Sequence, residues 1–326
     1  MTITERPTTY KPFLYPQFWN YYKTALSTVW RPETVDMGDD INDYLHKSSE
    51  VERHVIKSIL KTFTIMETHI GDYWTDRVCS MFPRYEIVAA ARAFGFFEAI
   101  HANAYDWLNS SLGIEDYDAF LGDQVAMKKI GHFIKQPNNA ISLAIFSGAG
   151  EGVSLFSSFA VLLSLSLDGR YKGLQQIISW SIKDEVQHSD MGCELFVELV
   201  KEQGLNPFVE DYIYQGFKET INNEFAFIDQ MFAIGQLNNI NSEDLKDYML
   251  YRANNRLRKL GLKELFEPKG CYNRIREWFE PLAFGQADQD FFSTPIEGGN
   301  YSAILSQDYS TYDYSKTKVK DWSING

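Results

Sequence analysis

Apolar residues recur along this chain at helical spacing, and almost nowhere do they alternate strictly as strands require. Over residues 49–82, Val55, Ile59, Phe63, Met66 and Ile70 form one stripe, with Glu67 on its edge. Ser48 or Ser49 is the expected N-cap, and Glu52 stands close to capping-box position. Pro83 separates this segment from a second one, residues 84–111, in which Ala and Phe dominate. A third apolar pattern covers residues 140–167, and a fourth covers 171–202 and ends at Gly204. Shorter helices are expected over 17–29, 39–45 and 124–136, and two more, polar on one side, over 209–234 and 242–262. The long segments exceed the usual globular helix, so the expected fold is all-α, a helical bundle. Gly148, Gly150 and Gly152 interrupt the third pattern around Glu151, where a distortion or a close backbone approach is expected.

Beyond about residue 287 the pattern changes. Residues 293–326 are rich in Ser, Thr, Gly, Asp and Lys, with interspersed Tyr and few aliphatics, which reads as a flexible tail. The expected division is a helical domain over 1–290 and a tail over 291–326. The formal net charge of −13 argues against nucleic acid or an anionic membrane as partner, since both demand basic patches. No apolar run reaches membrane-spanning length; the best candidate, around 159–167, is interrupted by serines and ends at Asp168-Gly169. Cys79, Cys193 and Cys271 are odd in number and widely spaced, so reduced thiols in a cytoplasmic protein are expected.

Four glutamates fall inside the apolar segments: Glu67, Glu98, Glu151 and Glu185. Two of them open a Glu-x-x-His pair, Glu98-Ala99-Ile100-His101 and Glu185-Val186-Gln187-His188. Three residues apart on a helix, each carboxylate and imidazole share a face. Burying one unpaired carboxylate is costly, and four in one core require cations. Two divalent ions balance four carboxylates beside two neutral imidazoles. Oxygen and nitrogen donors without thiolate suit iron or manganese. A lone Glu lies one helix before each pair, Glu67 before Glu98 and Glu151 before Glu185, so two helix pairs present the same pattern twice. This matches the ligand arrangement of ferritin-like di-metal bundles. Asp43-x-x-His46 looks similar but sits on a polar segment. The competing reading makes the glutamates solvated face residues or buried partners of Lys or Arg, as helical Glu is common here (Glu86, Glu194, Glu198).

Tyr105 follows His101 by four residues and Glu98 by seven, which puts it on the same helix face, one turn further along. A phenol beside an oxygen-activating di-metal centre can be oxidised to a radical. Trp30-Arg31-Pro32-Glu33, Glu98-Ala99-Ile100-His101 with Tyr105, Glu151 followed by Ser158-Phe159-Ala160, and Asp184-Glu185-x-x-His188 together resemble the radical-generating small (beta) subunit of class I ribonucleotide reductase. The resemblance spans nearly the whole chain.

That resemblance implies a ferritin-like homodimer holding two metal ions: iron with iron first, with dimanganese or manganese–iron as other pairings. The implied ligands are Glu67, Glu98, His101, Glu151, Glu185 and His188. A radical stored on Tyr105 would be passed to a separate large (alpha) subunit, where ribonucleotides are reduced to deoxyribonucleotides. The family's inner transfer chain maps onto His101, Asp184 and Trp30. This is physically sensible, since a ligating His needs a carboxylate on its other ring nitrogen. In the tail, Asn300-Tyr301-Ser302 after Asp290-Phe291-Phe292 resembles the context of the family's mobile tyrosine, which points to Tyr301 over Tyr309, Tyr312 and Tyr314. The last residues, with Trp322, would dock on the large subunit.

Two departures bear on the metal. Most tyrosyl-radical members carry Asp where this chain has Glu67; Glu there is more typical of manganese–iron relatives that lack the tyrosine. The connection between the Glu98 and Glu151 helices is also short, as in compact members, some of which use two manganese ions and a flavodoxin-like activator. The alternatives are a stand-alone ferritin-like di-metal oxidase and a metal-storage protein. The oxidase has no use for Trp30, Asp184 or a tyrosine-bearing tail, and storage favours shell assembly and does not need Tyr105 in register.

Overall fold

The structure, a computed structural model, describes residues 2–114, 122–136 and 139–284. Tyr301, Trp322 and the rest of the expected tail lie outside the described residues. Ten helical rods carry the described chain: α1 (Pro16–Ser27), α2 (Gly38–His46), α3 (Glu50–Asp72), α4 (Tyr85–Ser111), α5 (Gln124–Ile134), α6, α7 (Lys172–Gln203), α8 (Pro207–Met231), α9 (Ser242–Lys259) and α10 (Asn273–Phe284). Rod α6 is composite. It starts as Ala140–Leu143, widens into a π-helix over Ala144–Ser154 and resumes as Phe156–Ser164. Helix α3 likewise passes into a π-helical stretch, Tyr73–Val78, and a last turn, Cys79–Met81. Among the described residues there is no strand.

Local chemistry sets the helix starts. The Ser49 hydroxyl accepts from Glu52 N at 3.1 Å while Glu52 Oε2 accepts from Ser49 N at 2.7 Å, the expected capping box. Asp123, Asn206 and Asn241 cap α5, α8 and α9 with their own side chains. Helix α7 has no such residue. Its N-terminus follows Tyr171, a left-handed residue with φ of 52°. Its first N–H groups, on Gly173 and Leu174, donate instead to Asp40 of α2, at 3.0 and 2.8 Å. Asp43 accepts from Tyr171 N at 3.1 Å and pairs with Lys47. The decoy motif around His46 is thus a structural clasp between α2 and α7.

Helices α3 and α4, joined at Pro83, fold back on each other, and α6 and α7 do the same. The two pairs meet through α4 and α7; α1 covers α4, and α8 and α9 cover the π-helical part of α6. The segment Ile141–Ser164 is long and apolar enough to cross a membrane, and all of its most apolar window is buried inside the bundle. Helix α10 was not anticipated, although Ile275, Phe279 and Ala283, all buried, follow helical spacing. Asp247 pins its approach by accepting from Lys269 N and Tyr272 N at 2.6 and 2.9 Å. The three cysteines are free thiols, as expected.

Candidate metal centre

Six side chains converge at the middle of the bundle. Glu67 comes from α3, Glu98 and His101 from α4, Glu151 from the π-helix of α6, and Glu185 and His188 from α7. None is more than 1% exposed. Donor atoms of Glu67, Glu98, His101 and Glu185 lie within 4.8 Å of one another, as do those of Glu98, Glu151, Glu185 and His188. Glu98 and Glu185 belong to both groups. The two groups therefore share two carboxylates, and each is completed by one further Glu and one His.

The contacts inside the cluster are short yet only partly hydrogen bonds. His188 Nδ1 stands 2.6 Å from Glu98 Oε1, and neither atom has a hydrogen bond of normal geometry among the described residues. His101 Nδ1 lies 3.0 Å from Glu185 Oε1, 3.2 Å from Glu98 Oε2 and 3.9 Å from Glu67 Oε2. Both carboxylate oxygens of Glu67 and of Glu185, and Oε2 of Glu151, have no hydrogen-bond partner among the described residues. Acceptors buried without donors are costly. Lone pairs that crowd together and find no proton donors are what divalent cations satisfy, so these residues fit a pair of ions. The ionic neighbours of the glutamates are the two histidines, and the solvated-face reading fails on burial.

Electrostatics agree. Burial, together with the Glu98 and Glu185 charges, pushes the Glu67 carboxyl well above the ordinary range. Burial does the same for Glu151, against the opposing pull of His188. For Glu98, burial is outweighed by His188 and His101, which hold it well below the usual range. His188 is raised to about 10, because Glu98 and Glu185 overcome its burial. His101 is raised too, with Asp184, Glu185 and Glu98 overcoming burial. Glu67, Glu151, His101 and His188 thus hold their protons more tightly than ordinary side chains do, and cations compete with those protons for the same atoms.

Beyond the cluster, His101 Nε2 faces Asp184 Oδ2 at 3.1 Å, and the Trp30 indole N–H donates to that same oxygen at 2.8 Å. The Trp30 ring lies 5.8 Å from the His101 ring, near-parallel, and 5.2 Å from Trp180. Tyr105 is fully buried, with its ring 6.4 Å from that of His101 and 4.8 Å from Phe63. Its hydroxyl makes no hydrogen bond among the described residues. Burial, then the Glu67 charge, raises its pKa, and His101 and the nearby Ser181 hydroxyl ease it downward.

The glycine-rich distortion anticipated around Glu151 is the π-helix itself, a form seen mostly at functional sites. Its free carbonyls are held from outside. Ser147 O accepts from Ser189 Oγ at 2.6 Å, Gly152 O from Arg252 at 2.9 and 3.1 Å, and Ser154 O from Lys129 at 2.8 Å. A Cβ on Gly152 would stand 2.5 Å from Arg256 Cδ and 2.6 Å from Ser189 Oγ, so only glycine fits. Sequence reasoning missed this support. It also missed Trp74, whose indole donates to Glu151 Oε1 at 2.6 Å. Trp74 follows Glu67 by seven residues, a same-face spacing that was readable.

The fold and site define a di-metal carboxylate helical bundle. The profile of the family described as "Ribonucleotide reductase, small chain" matches residues 7–273, and the chain belongs to that family. It is an oxidoreductase subunit. It is 31% identical, over 82% of its length and 86% of the relative's, to a probable ribonucleoside-diphosphate reductase small subunit of Invertebrate iridescent virus 6. It is 26% identical to the ribonucleoside-diphosphate reductase small subunit of Dictyostelium discoideum, over 95% of this chain and 92% of that one. Among solved structures, the ribonucleotide reductase R2 subunit from Clostridium botulinum has the same fold, with TM-score 0.74 and 19% identity over 87% of this chain and 94% of that one. The dimanganese(II)-NrdF of Streptococcus sanguinis gives TM-score 0.73 at 18% identity, over 83% and 99%.

Proposed function

We propose that this chain generates and stores the radical used by a class I ribonucleotide reductase, and that it works as a homodimer beside a separate large subunit in the cytoplasm. Glu67, Glu98, His101, Glu151, Glu185 and His188 hold the two ions, with Glu98 and Glu185 shared between them. When bound, the ions would give electrons to oxygen and so supply a one-electron oxidant for a nearby phenol. Tyr105 is the storage site. Its phenol is fully buried, has no hydrogen-bond partner among the described residues, and is held in its protonated form by burial, so it is shielded from solvent reductants once oxidised.

The observation that carries this reading is the His101–Asp184–Trp30 chain. Asp184 accepts from Trp30 and orients His101, which leaves His101 Nδ1 facing Glu98 and Glu185. A buried indole tied to a metal-side histidine through one carboxylate oxygen gives an electron and a proton a short, dry path outward. Tyr301 is the mobile relay in the tail, and the final residues with Trp322 dock on the large subunit; both assignments rest on sequence resemblance. A flavodoxin-like activator belongs to the same resemblance.

The donors accept iron or manganese; iron with iron is the first pairing, and dimanganese and manganese–iron are the others. Glu67 is the residue on which the choice turns. The test is metal analysis after loading with iron, manganese or both, with electron paramagnetic resonance after oxygen exposure and nucleotide reduction assayed with a purified large subunit. Two ions per chain, a tyrosyl signal and reduction are expected. A protein that binds its ions but never supports reduction is not this subunit.

A further inference from the structure

A cavity of about 250 Å³ lies between α3, α5 and α6. Its wall is Met66, Ile70, Tyr73, Ile130, Phe133 and Phe146, its rim includes His69, Asp72, Arg77 and Ile134, and its floor reaches Gly150 and Glu151. His69 and Asp72 are exposed, whereas Glu151 is 1% exposed. The cavity therefore leads from the surface to a carboxylate of one ion position. Both π-helical stretches border it. Tyr73 from one stacks on Phe146 from the other, rings 3.6 Å apart and 14° from parallel. At the rim, Arg77 clips the π-turn of α3 to the end of α5 by donating to Gln136 O at 2.8 Å and Ile134 O at 3.1 Å.

The floor is chemically unfinished. Trp74 occupies Glu151 Oε1, and Glu151 Oε2 is buried without a hydrogen-bond partner among the described residues. Between it and the rim the lining is aliphatic and aromatic, which does not stabilise a charged or strongly hydrated visitor. Apolar cavities of about 150 Å³ lined by such side chains take up xenon and benzene. The basic depression lined by Arg252, Arg256, Arg258 and Lys259 suits anions, and none of the six metal-side donors is in its wall.

We propose that this cavity is the route by which a small neutral gas, dioxygen, reaches the ion position at Glu151, entering between the two π-helical stretches. The inference rests on the site being an oxygen-reactive di-metal centre. It adds which species is admitted and from which side.

Two measurements test it. Crystals of the metal-free protein under xenon pressure should show xenon against Ile70 and Phe146; xenon absent from there overturns the proposal. Ile134→Trp, at the 37% exposed rim, and Ile130→Phe, inside, should narrow the passage. Each variant should bind Fe(II) as the parent does but react with dissolved oxygen roughly tenfold more slowly in stopped flow, a barrier increase of about 1.4 kcal/mol. An unchanged dependence of rate on oxygen concentration in both variants overturns the route. If Ile130→Phe does not fold, Ile134→Trp decides alone, because its ring can lie over the rim. A parent protein that binds neither Fe(II) nor Mn(II) defeats the di-metal reading instead, and the xenon result still decides whether the cavity is a gas site.

Discussion

The Asp184 oxygen that accepts the Trp30 indole proton at 2.8 Å is the same oxygen that faces His101 Nε2 at 3.1 Å. One atom thus couples the tryptophan to the metal-side histidine. Trp30→Phe keeps an aromatic ring beside His101 and removes the donor. Stability should fall by about 1.5–3 kcal/mol, the cost of a hydrogen bond to a charged group. Ion binding and the tyrosyl signal should persist, while nucleotide reduction with the large subunit drops to background. Measured reduction near the parent rate would remove Trp30 from the path.

Tyr105→Phe deletes a buried hydroxyl that has no hydrogen-bond partner among the described residues. Its removal leaves nothing newly unsatisfied, so stability should change by less than about 1 kcal/mol. The tyrosyl resonance should disappear while the ion content stays the same. An unchanged tyrosyl spectrum in the variant would assign the radical elsewhere.

The metal-free and metal-loaded proteins should respond to pH in opposite directions. Without ions, the Glu67, Glu151 and Asp184 carboxyls and both histidines have raised pKa values, His188 to about 10. The folded state then holds protons that the unfolded chain releases. That stability is complete below the unfolded values and is lost as pH rises through the folded ones. Glu98 has the opposite sign, but its window lies below the ordinary 4.5. Ions compete with the same protons, so loading strengthens as pH rises. Thermal melts at about pH 5.5 and about pH 8.5 should show a wider gap between loaded and chelator-treated protein at the higher pH. A constant gap would mean that these groups do not bind the ions.

Lys129 and Glu224 form a fully buried pair at 2.9 Å, and Ser154 and Ser157 donate to the same carboxylate at 2.7 and 2.6 Å. Lys129→Met strands that charge. Denaturant unfolding should show a loss of about 3–5 kcal/mol, partly recovered by adding Glu224→Gln. A loss under about 1 kcal/mol would show that the pair contributes little to holding the end of the π-helix.

Truncation after Ser293 removes the segment assigned to partner docking. Nucleotide reduction should be abolished while ion content and the tyrosyl signal match the full chain. Activity that survives truncation would contradict the docking assignment.

Much of this was readable in the sequence because burial and charge are in conflict at the site. Glu98 and His101 in an Ala- and Phe-rich helix, repeated at Glu185 and His188, announce a cation-filled core through local spacing alone. The capping box at Ser49 and the break at Pro83 are equally local. What remained hidden is non-local. Asp40 caps a helix more than a hundred residues away, which no window on α7 reveals. Lys129 sits in a short helix that reads as basic, yet it is buried, because its partner Glu224 arrives from another rod. The glycines around Glu151 signalled distortion. Its form, a π-helix, depends on Arg252, Lys129 and Ser189 coming from three other helices to take the released carbonyls.

The π-helix over Ala144–Ser154 also sets a limit on how the chain can change length. A π-turn holds more residues than an α-turn, so deleting one residue here lets ordinary α geometry return. The flanking α-helical segments would keep their phase, and only the residues inside the stretch would turn relative to them. With Phe156–Ser164 anchored in the core, Glu151 would be the residue swung away from Glu98 and Glu185. A one-residue deletion in this stretch of the chain should therefore leave the bundle folded and cost it one ion position, with every other ligand residue intact.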